Sequence, residues 1–209
     1  MTQRYKYPRT MHLPWSPGRT KDDRVLQTTE HFVGQEVVVT EKMDGENTTL
    51  ARDYTHARST SSGNHVSRDW LKQFHAKFAY SLPDELRICG ENLYAQHSIA
   101  YDNLLSYFLI FSVWEKEFCW HWDDTVAYIG NLGLHTVPVL WRGTWDEKKI
   151  IQITEQLDLT KQEGIVVRRV NAFPMQEFGS YLAKWVRTDH VTTDEHWLNK
   201  PVIPNRLRV

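Results

Sequence analysis

The chain has 209 residues, a formal net charge of −1 and an apolar fraction of 41 %, with 9 Trp, 9 Tyr and 8 Phe. That is enough for one substantial domain, or at most two small ones, and it excludes a disordered chain. Near-neutral charge excludes a globally basic nucleic-acid binder, so any such surface has to come from local segregation of charge.

Residues 1–24 show such segregation: Arg4, Lys6, Arg9, Arg19, Lys21 and Arg24 stand against Asp22 and Asp23. With Pro8, Pro14, Pro17 and Gly18 the segment reads as an irregular arm, either solvated or contacting nucleic acid, that packs Trp15 on the body. Strands are predicted at 36–43, 48–53 and, shorter, 55–59, before a loop at 59–64. Trp70, Leu71, Phe74, Phe78 and Ala79 fall at helical spacing and predict a helix over 67–80 capped by Ser67. A strand over 86–94 is interrupted at Gly90, and the apolar run from Tyr107 to Trp114 predicts a buried strand. Asp123 or Asp124 caps a helix to about 131 that stops at Gly133; Pro138 marks the strand 137–141 as an edge. Ile150, Ile153 and Leu157 line one face of a helix over 146–157, and strands at 164–170 and 181–187 close the set. Helices interleaved with strands out of strict alternation predict an α+β fold with largely antiparallel sheets flanked by helices. The expectation is a single domain over 1–209, with 1–24 as arm and 188–209 as tail.

Cys89 and Cys119 sit in no Cys-x-x-Cys or Cys/His spacing and read as reduced and buried. No segment approaches 18 uninterrupted apolar residues, so the expectation is a soluble, cytoplasmic protein with no membrane contact.

The most informative stretch is 36–50. Val37, Val38 and Val39 run into Lys42-Met43-Asp44-Gly45, and Thr48-Thr49-Leu50 resume β-type sequence. The plain reading is a β-hairpin with Lys42 as a surface lysine beside an Asp-Gly turn. The sharper reading is that the turn presents Lys42 as a nucleophile, which requires a neutral amine and hence a pKa lowered by burial or a nearby cation.

Five elements favour the sharper reading: Glu41-Lys42-Met43-Asp44-Gly45, Gly90-Glu91, the apolar run ending at Phe111, Glu163-Gly164-Ile165-Val166-Val167-Arg168, and Leu182-Ala183-Lys184-Trp185. In order and spacing they resemble the signature elements of the covalent nucleotidyltransferases, the superfamily of DNA ligases, RNA ligases and mRNA capping enzymes. Asn47, five residues after the lysine, resembles the nick-sealing RNA ligases of the second phage type and the RNA-editing ligases, where the other branches carry Arg.

The resemblance implies a nucleotidyltransferase domain and an ATP-dependent RNA ligase that joins 3′-hydroxyl and 5′-phosphate RNA ends, in RNA repair. Lys42 would attack the α-phosphate of ATP to form lysyl-AMP, with Lys184 neutralising the charge that builds there. Glu41 would contact the adenine amino group, Phe111 stack on the purine and Glu91 hold a ribose hydroxyl. Glu163 and Asn47 would bind Mg2+ or Mn2+, or its water, and Arg58 would contact phosphate or RNA. Two positions depart from the pattern: Ser112 stands where an Asp often follows the stacking aromatic, and Val186 replaces a second lysine, with Arg187 one residue on as its substitute. Only 25 residues follow Lys184, too few for an OB barrel, so the expectation is a minimal ligase or one whose partner protein supplies end recognition. The alternatives are a DNA ligase or capping-type enzyme, and a non-catalytic nucleotide- or RNA-binding module of the same fold.

Overall fold

A computed structural model of the chain describes residues 3–188 and 201–208. Its elements are β1 (Met11–His12), β2 (Glu36–Lys42), β3 (Glu46–Ala51), β4 (Tyr54–Ala57), α1 (Asp69–Ala76), β5 (Leu86–Asn92), β6 (Phe108–Glu115), β7 (Phe118–Cys119) and α2 (Trp122–Asn131). Then follow β8 (Val139–Thr144), α3 (Glu147–Glu155), β9 (Gly164–Arg169), β10 (Phe173–Pro174), α4 (Phe178–Tyr181) and β11 (Leu182–Val186). The strands form two sheets, ordered β1-β11-β9-β2-β8 and β10-β7-β6-β5-β3-β4. Every ladder is antiparallel except β1 with β11, which agrees with the expected α+β class. Among the described residues no helix is long and apolar enough to cross a membrane.

The five-stranded sheet is covered on both faces, and strand parity decides which residue goes where. Val37 and Val39 of β2, Ile165 and Val167 of β9, and Ala183 and Trp185 of β11 point one way. There they pack with Ile150 and Ile153 of α3 and with Leu13, Leu26 and Phe32 of the N-terminal segment. Val38 points the other way, into a cluster with Leu93, Leu109 and Trp122 that joins the two sheets. Two-sided burial is why three consecutive valines occur in a strand that does not alternate.

The same burial overturns the hairpin reading of 36–50. β2 pairs with β8 and β9, whereas β3 pairs with β4 and β5, so Met43-Asp44-Gly45 is a crossover between sheets. Gly45 is there for close approach: a Cβ would lie 2.5 Å from the Asn92 carbonyl oxygen. Asp44 anchors the crossover. One oxygen of its buried carboxylate accepts the Ser98 amide (2.7 Å), the Ser98 hydroxyl (2.8 Å) and the Ile99 amide (2.8 Å), and its own amide donates to the Tyr101 hydroxyl (2.9 Å). Asp44→Ala leaves those amides without an acceptor and is expected to lower stability by about 3 kcal/mol, read as a fall in the urea midpoint.

Other expectations shift at element ends. The helix expected over 67–80 is α1 between two 3-10 turns; Ser67 is buried in the first of these and does not cap the helix. The cap of α2 is His121, whose ring accepts the Asp123 amide, because Asp123 is taken by a bidentate pair with Arg142 (2.5 and 2.9 Å). Gly133 does end that helix, with φ of +68° that an L side chain rarely adopts. Asp146 caps α3, accepting the Lys149 amide at 3.2 Å. The strand after Pro138 lies at the sheet edge as expected.

The two ends of the chain are more ordered than arm and tail suggest. β1 adds to the edge of β11, the Leu13 amide donating to the Lys184 carbonyl at 2.7 Å and the Gly18 amide to that of Val186 at 2.9 Å. Residues 189–200 of the expected tail lie outside the described residues, but 201–208 return to the body. There buried Asn205 donates to the Leu93 carbonyl (2.7 Å) and accepts the Tyr101 amide (2.8 Å).

Candidate active site

Between the sheets lies a cavity of about 470 Å3, within the roughly 300–1,000 Å3 of small-molecule sites. Strand register assembles it. Thr40 of β2 and Lys184 of β11 both stand opposite Val166 of β9, and Lys42 stands two residues beyond Thr40, so parity sends all four side chains to the cavity face. From the other sheet, Asn47 of β3 pairs with Glu91 of β5, and both reach the same space.

Of the residues singled out in the sequence, Glu41, Lys42, Asn47, Arg58, Glu91, Phe111 and Lys184 line this cavity together. Glu163 does not line it but lies directly behind Lys42, its carboxylate in an ion pair with the Lys42 ammonium. Opposite Lys42 in the ladder is Gly164, where a Cβ would lie 2.0 Å from the Trp185 carbonyl oxygen; a side chain here would part β9 from β11. Arg187 is the exception. It is not among the lining residues, and its guanidinium donates to the Ser98 hydroxyl at 3.3 Å. An odd step along an extended strand reverses facing, so Arg187 does not take the place that a lysine at 186 would have had. Val186 in turn is buried, its amide bonded to the Ser16 hydroxyl (3.0 Å), and Ser112 accepts the indole N–H of Trp114 (2.9 Å).

The electrostatics differ from the sequence-based expectation for Lys42. Burial works to lower its pKa, but the carboxylates of Glu163, Glu91 and Asp44 outweigh burial and hold it above the ordinary lysine value. Lys184 goes the other way, lowered by burial and by the Lys42 charge. Burial pushes the Glu91 carboxyl up to about 8, and raises that of Glu41, which accepts a hydrogen bond from Gln162 at 3.0 Å.

Several side chains of the site had no role assigned from the sequence. Arg168, which ends the fourth of the five sequence elements, is buried, donating to the carbonyls of Phe111 (3.2 Å) and Trp120 and so fixing the backbone that presents Phe111. Tyr7 packs edge-on against Phe111 at 5.2 Å, and Val166 and Trp122 complete an apolar wall. A flat heteroaromatic fits between such walls, while the charged half of the cavity suits an anion.

For a divalent cation the donor set is sparse. Among the described residues no group of three or more His, Cys, Asp or Glu could hold one. The Asn47 carbonyl oxygen, however, is buried and accepts no hydrogen bond, and Glu163 is 4 % exposed. One carboxylate and one spare amide oxygen suit magnesium or manganese, which keep most of their waters and draw other ligands from phosphates.

Solved structures share this fold. A Naegleria gruberi RNA ligase with PPi aligns with a TM-score of 0.58 and 18 % identity, covering 88 % of this chain and 60 % of that one. An archaeal ATP-dependent RNA ligase aligns at 0.56 and 18 %, covering 83 % and 48 %. A point variant of the Naegleria gruberi ligase with ATP and Mn aligns at 0.55 and 16 %, covering 88 % and 59 %. This chain thus spans roughly half to three fifths of the length of those proteins. No curated protein matches it. Residues 35–186, which hold both sheets apart from β1, match the family model described as RNA ligase, and the chain belongs to the RNA ligase family.

Proposed function

We propose that the chain is an ATP-dependent RNA ligase that works through lysyl-AMP on Lys42, residues 1–209 acting as one nucleotidyltransferase domain. The observation that carries this reading is the convergence on one cavity of Lys42, Lys184, Arg58, Glu91 and Phe111, drawn from both sheets. The adenine lies against Phe111 with Glu41 at its amino group, and Glu91 takes a ribose hydroxyl. Lys42 Nζ, having lost a proton, attacks the α-phosphorus; an N–P bond forms, the bond to pyrophosphate breaks, and Lys184 offsets the added negative charge. The 5′-phosphate of an RNA then takes the AMP from Lys42, and the 3′-hydroxyl of a second RNA end displaces AMP to leave a phosphodiester. Glu163 and Asn47 are the residues that would hold Mg2+ or Mn2+, which supplies charge neutralisation and alignment of the phosphates.

The solved structures named above, of RNA ligases with ATP and Mn or PPi, support ATP and a divalent metal as substrate and cofactor here, and the RNA ligase family model supports RNA as the other substrate. The test is incubation with α-labelled ATP and Mg2+, then addition of nicked duplex RNA, nicked DNA or single-stranded RNA. Label should enter the denatured protein, leave it on adding 5′-phosphorylated RNA, and accompany sealed product. Protein that takes up no label, or whose label RNA cannot discharge, would overturn the proposal. A preference for nicked DNA would move it to the DNA-ligase branch.

A further inference from the structure

The wall of the cavity beyond Lys184 is made by the N-terminal segment. Docking of β1 on β11 sets His12 opposite Lys184, and the Arg24 carbonyl accepts the His12 amide at 2.7 Å, so residues 9–12 and 20–24 run side by side past the lysine. Arg9, Thr20, Asp23 and Arg24 all line the cavity. Asp23 is the one that faces Lys184. Its Oδ1 lies 3.9 Å from Lys184 Nζ, while Oδ2 accepts the Thr20 amide and hydroxyl, both at 2.9 Å, and lies 3.5 Å from His12 Nε2. At 3.9 Å the Asp23–Lys184 pair is an ion pair without a hydrogen bond, weak enough to be exchanged for a better anion. Arg9 reaches along the same wall, donating to the Asp22 carbonyl at 3.3 Å, and neither arginine is committed to a carboxylate among the described residues.

From this we propose that the segment is a phosphate strap: Asp23 holds the anion position beside Lys184 in the free protein, and the terminal phosphates of ATP displace it and are gripped by Arg9 and Arg24. The inference rests on the ligase reading of the cavity and adds to it the residues that distinguish a nucleoside triphosphate from a monophosphate. An exposed guanidinium grips phosphate through paired N–H donors, so the two arginines together are worth about tenfold in affinity. Removing the Asp23 charge frees Lys184 and the wall for phosphate, which tightens triphosphate binding by about threefold. AMP, whose single phosphate stays at Lys42 and Lys184, gains nothing from the arginines.

The experiment compares binding of AMP and of an ATP analogue with a methylene bridge between the α- and β-phosphorus, which blocks covalent transfer, to the full chain by titration calorimetry. The double variant Arg9→Ala, Arg24→Ala is expected to lose about tenfold for the analogue with AMP unchanged. Asp23→Asn is expected to gain about threefold for the analogue. Arg9→Lys with Arg24→Lys, which keeps the charge, should retain part of the preference. Equal losses for analogue and AMP in the alanine pair would make the strap merely structural and overturn the proposal. So would an unchanged analogue affinity, or weaker analogue binding by Asp23→Asn. If the unsubstituted chain binds neither nucleotide and takes no covalent label, the ligase reading falls and this one with it; label with an unaltered preference in the variants overturns the strap alone.

Discussion

Lys42→Arg should yield a protein that melts within a few degrees of the unsubstituted chain yet takes up no covalent AMP from ATP. The guanidinium keeps the positive charge facing Glu163, so the buried carboxylate retains a partner. It cannot, however, become a neutral nucleophile at any accessible pH. Labelling is expected to fall by about four orders of magnitude or more, below detection on a denaturing gel. Lys42→Ala should be equally inert but less stable, because it strands the Glu163 carboxylate, by up to about 3 kcal/mol. The pair of variants separates the two uses of the side chain. Residual labelling of Lys42→Arg near the unsubstituted level would place the acceptor on another residue.

The second large effect is on the pH profile. Burial works to lower the Lys42 pKa, but Glu163, Glu91 and Asp44 outweigh it and hold the pKa above the ordinary lysine value, so Lys42 is protonated at neutral pH. Because the pKa is raised, the reactive form is scarce below it and increases as pH rises. Labelling should therefore climb about tenfold per pH unit through neutrality. A cation shared by Glu163 competes with the ammonium for that carboxylate, so raising Mg2+ should move the half-maximal pH downwards. Glu163→Gln removes the strongest of the three carboxylates and should move the profile the same way, while demanding more metal. Initial labelling rates from pH 6 to 10 at several Mg2+ concentrations measure both. A profile indifferent to metal and to Glu163→Gln would show that Glu163 does not control the Lys42 proton.

What could be read in advance divides along physical lines. Lys42, Glu91, Phe111 and Lys184 were recognisable through the ordered elements that resemble those of the covalent nucleotidyltransferases, and alternation along the strands then dictates which way each faces. The helix α3 was visible in the spacing of its apolar residues, and α2 in its acidic start and the glycine that stops it. Asp44 was legible only as half of a turn signal, because the hydrogen bonds that make it an anchor come from residues more than fifty positions away. Arg168 and Asp23 stood in stretches already singled out but had no role assigned, since charge in a strand or in a basic arm normally means solvent, and only the packing of Trp122 and of β1 says otherwise. The two-residue strands β1, β7 and β10 and the single turn of α4 are too short to display a period.

The clasp that Asn205 makes with Tyr101 has a bearing on how the protein comes into being. Tyr101 holds the Asp44 amide, and Asp44 holds the crossover that carries Lys42, so Lys42 is tied to a residue far along the chain from it. Closing contacts between such distant positions is slow relative to local structure. A nascent chain should therefore remain inert towards nucleotide until Asn205 has emerged, and ribosome-stalled chains of graded length would reveal the point at which reactivity switches on.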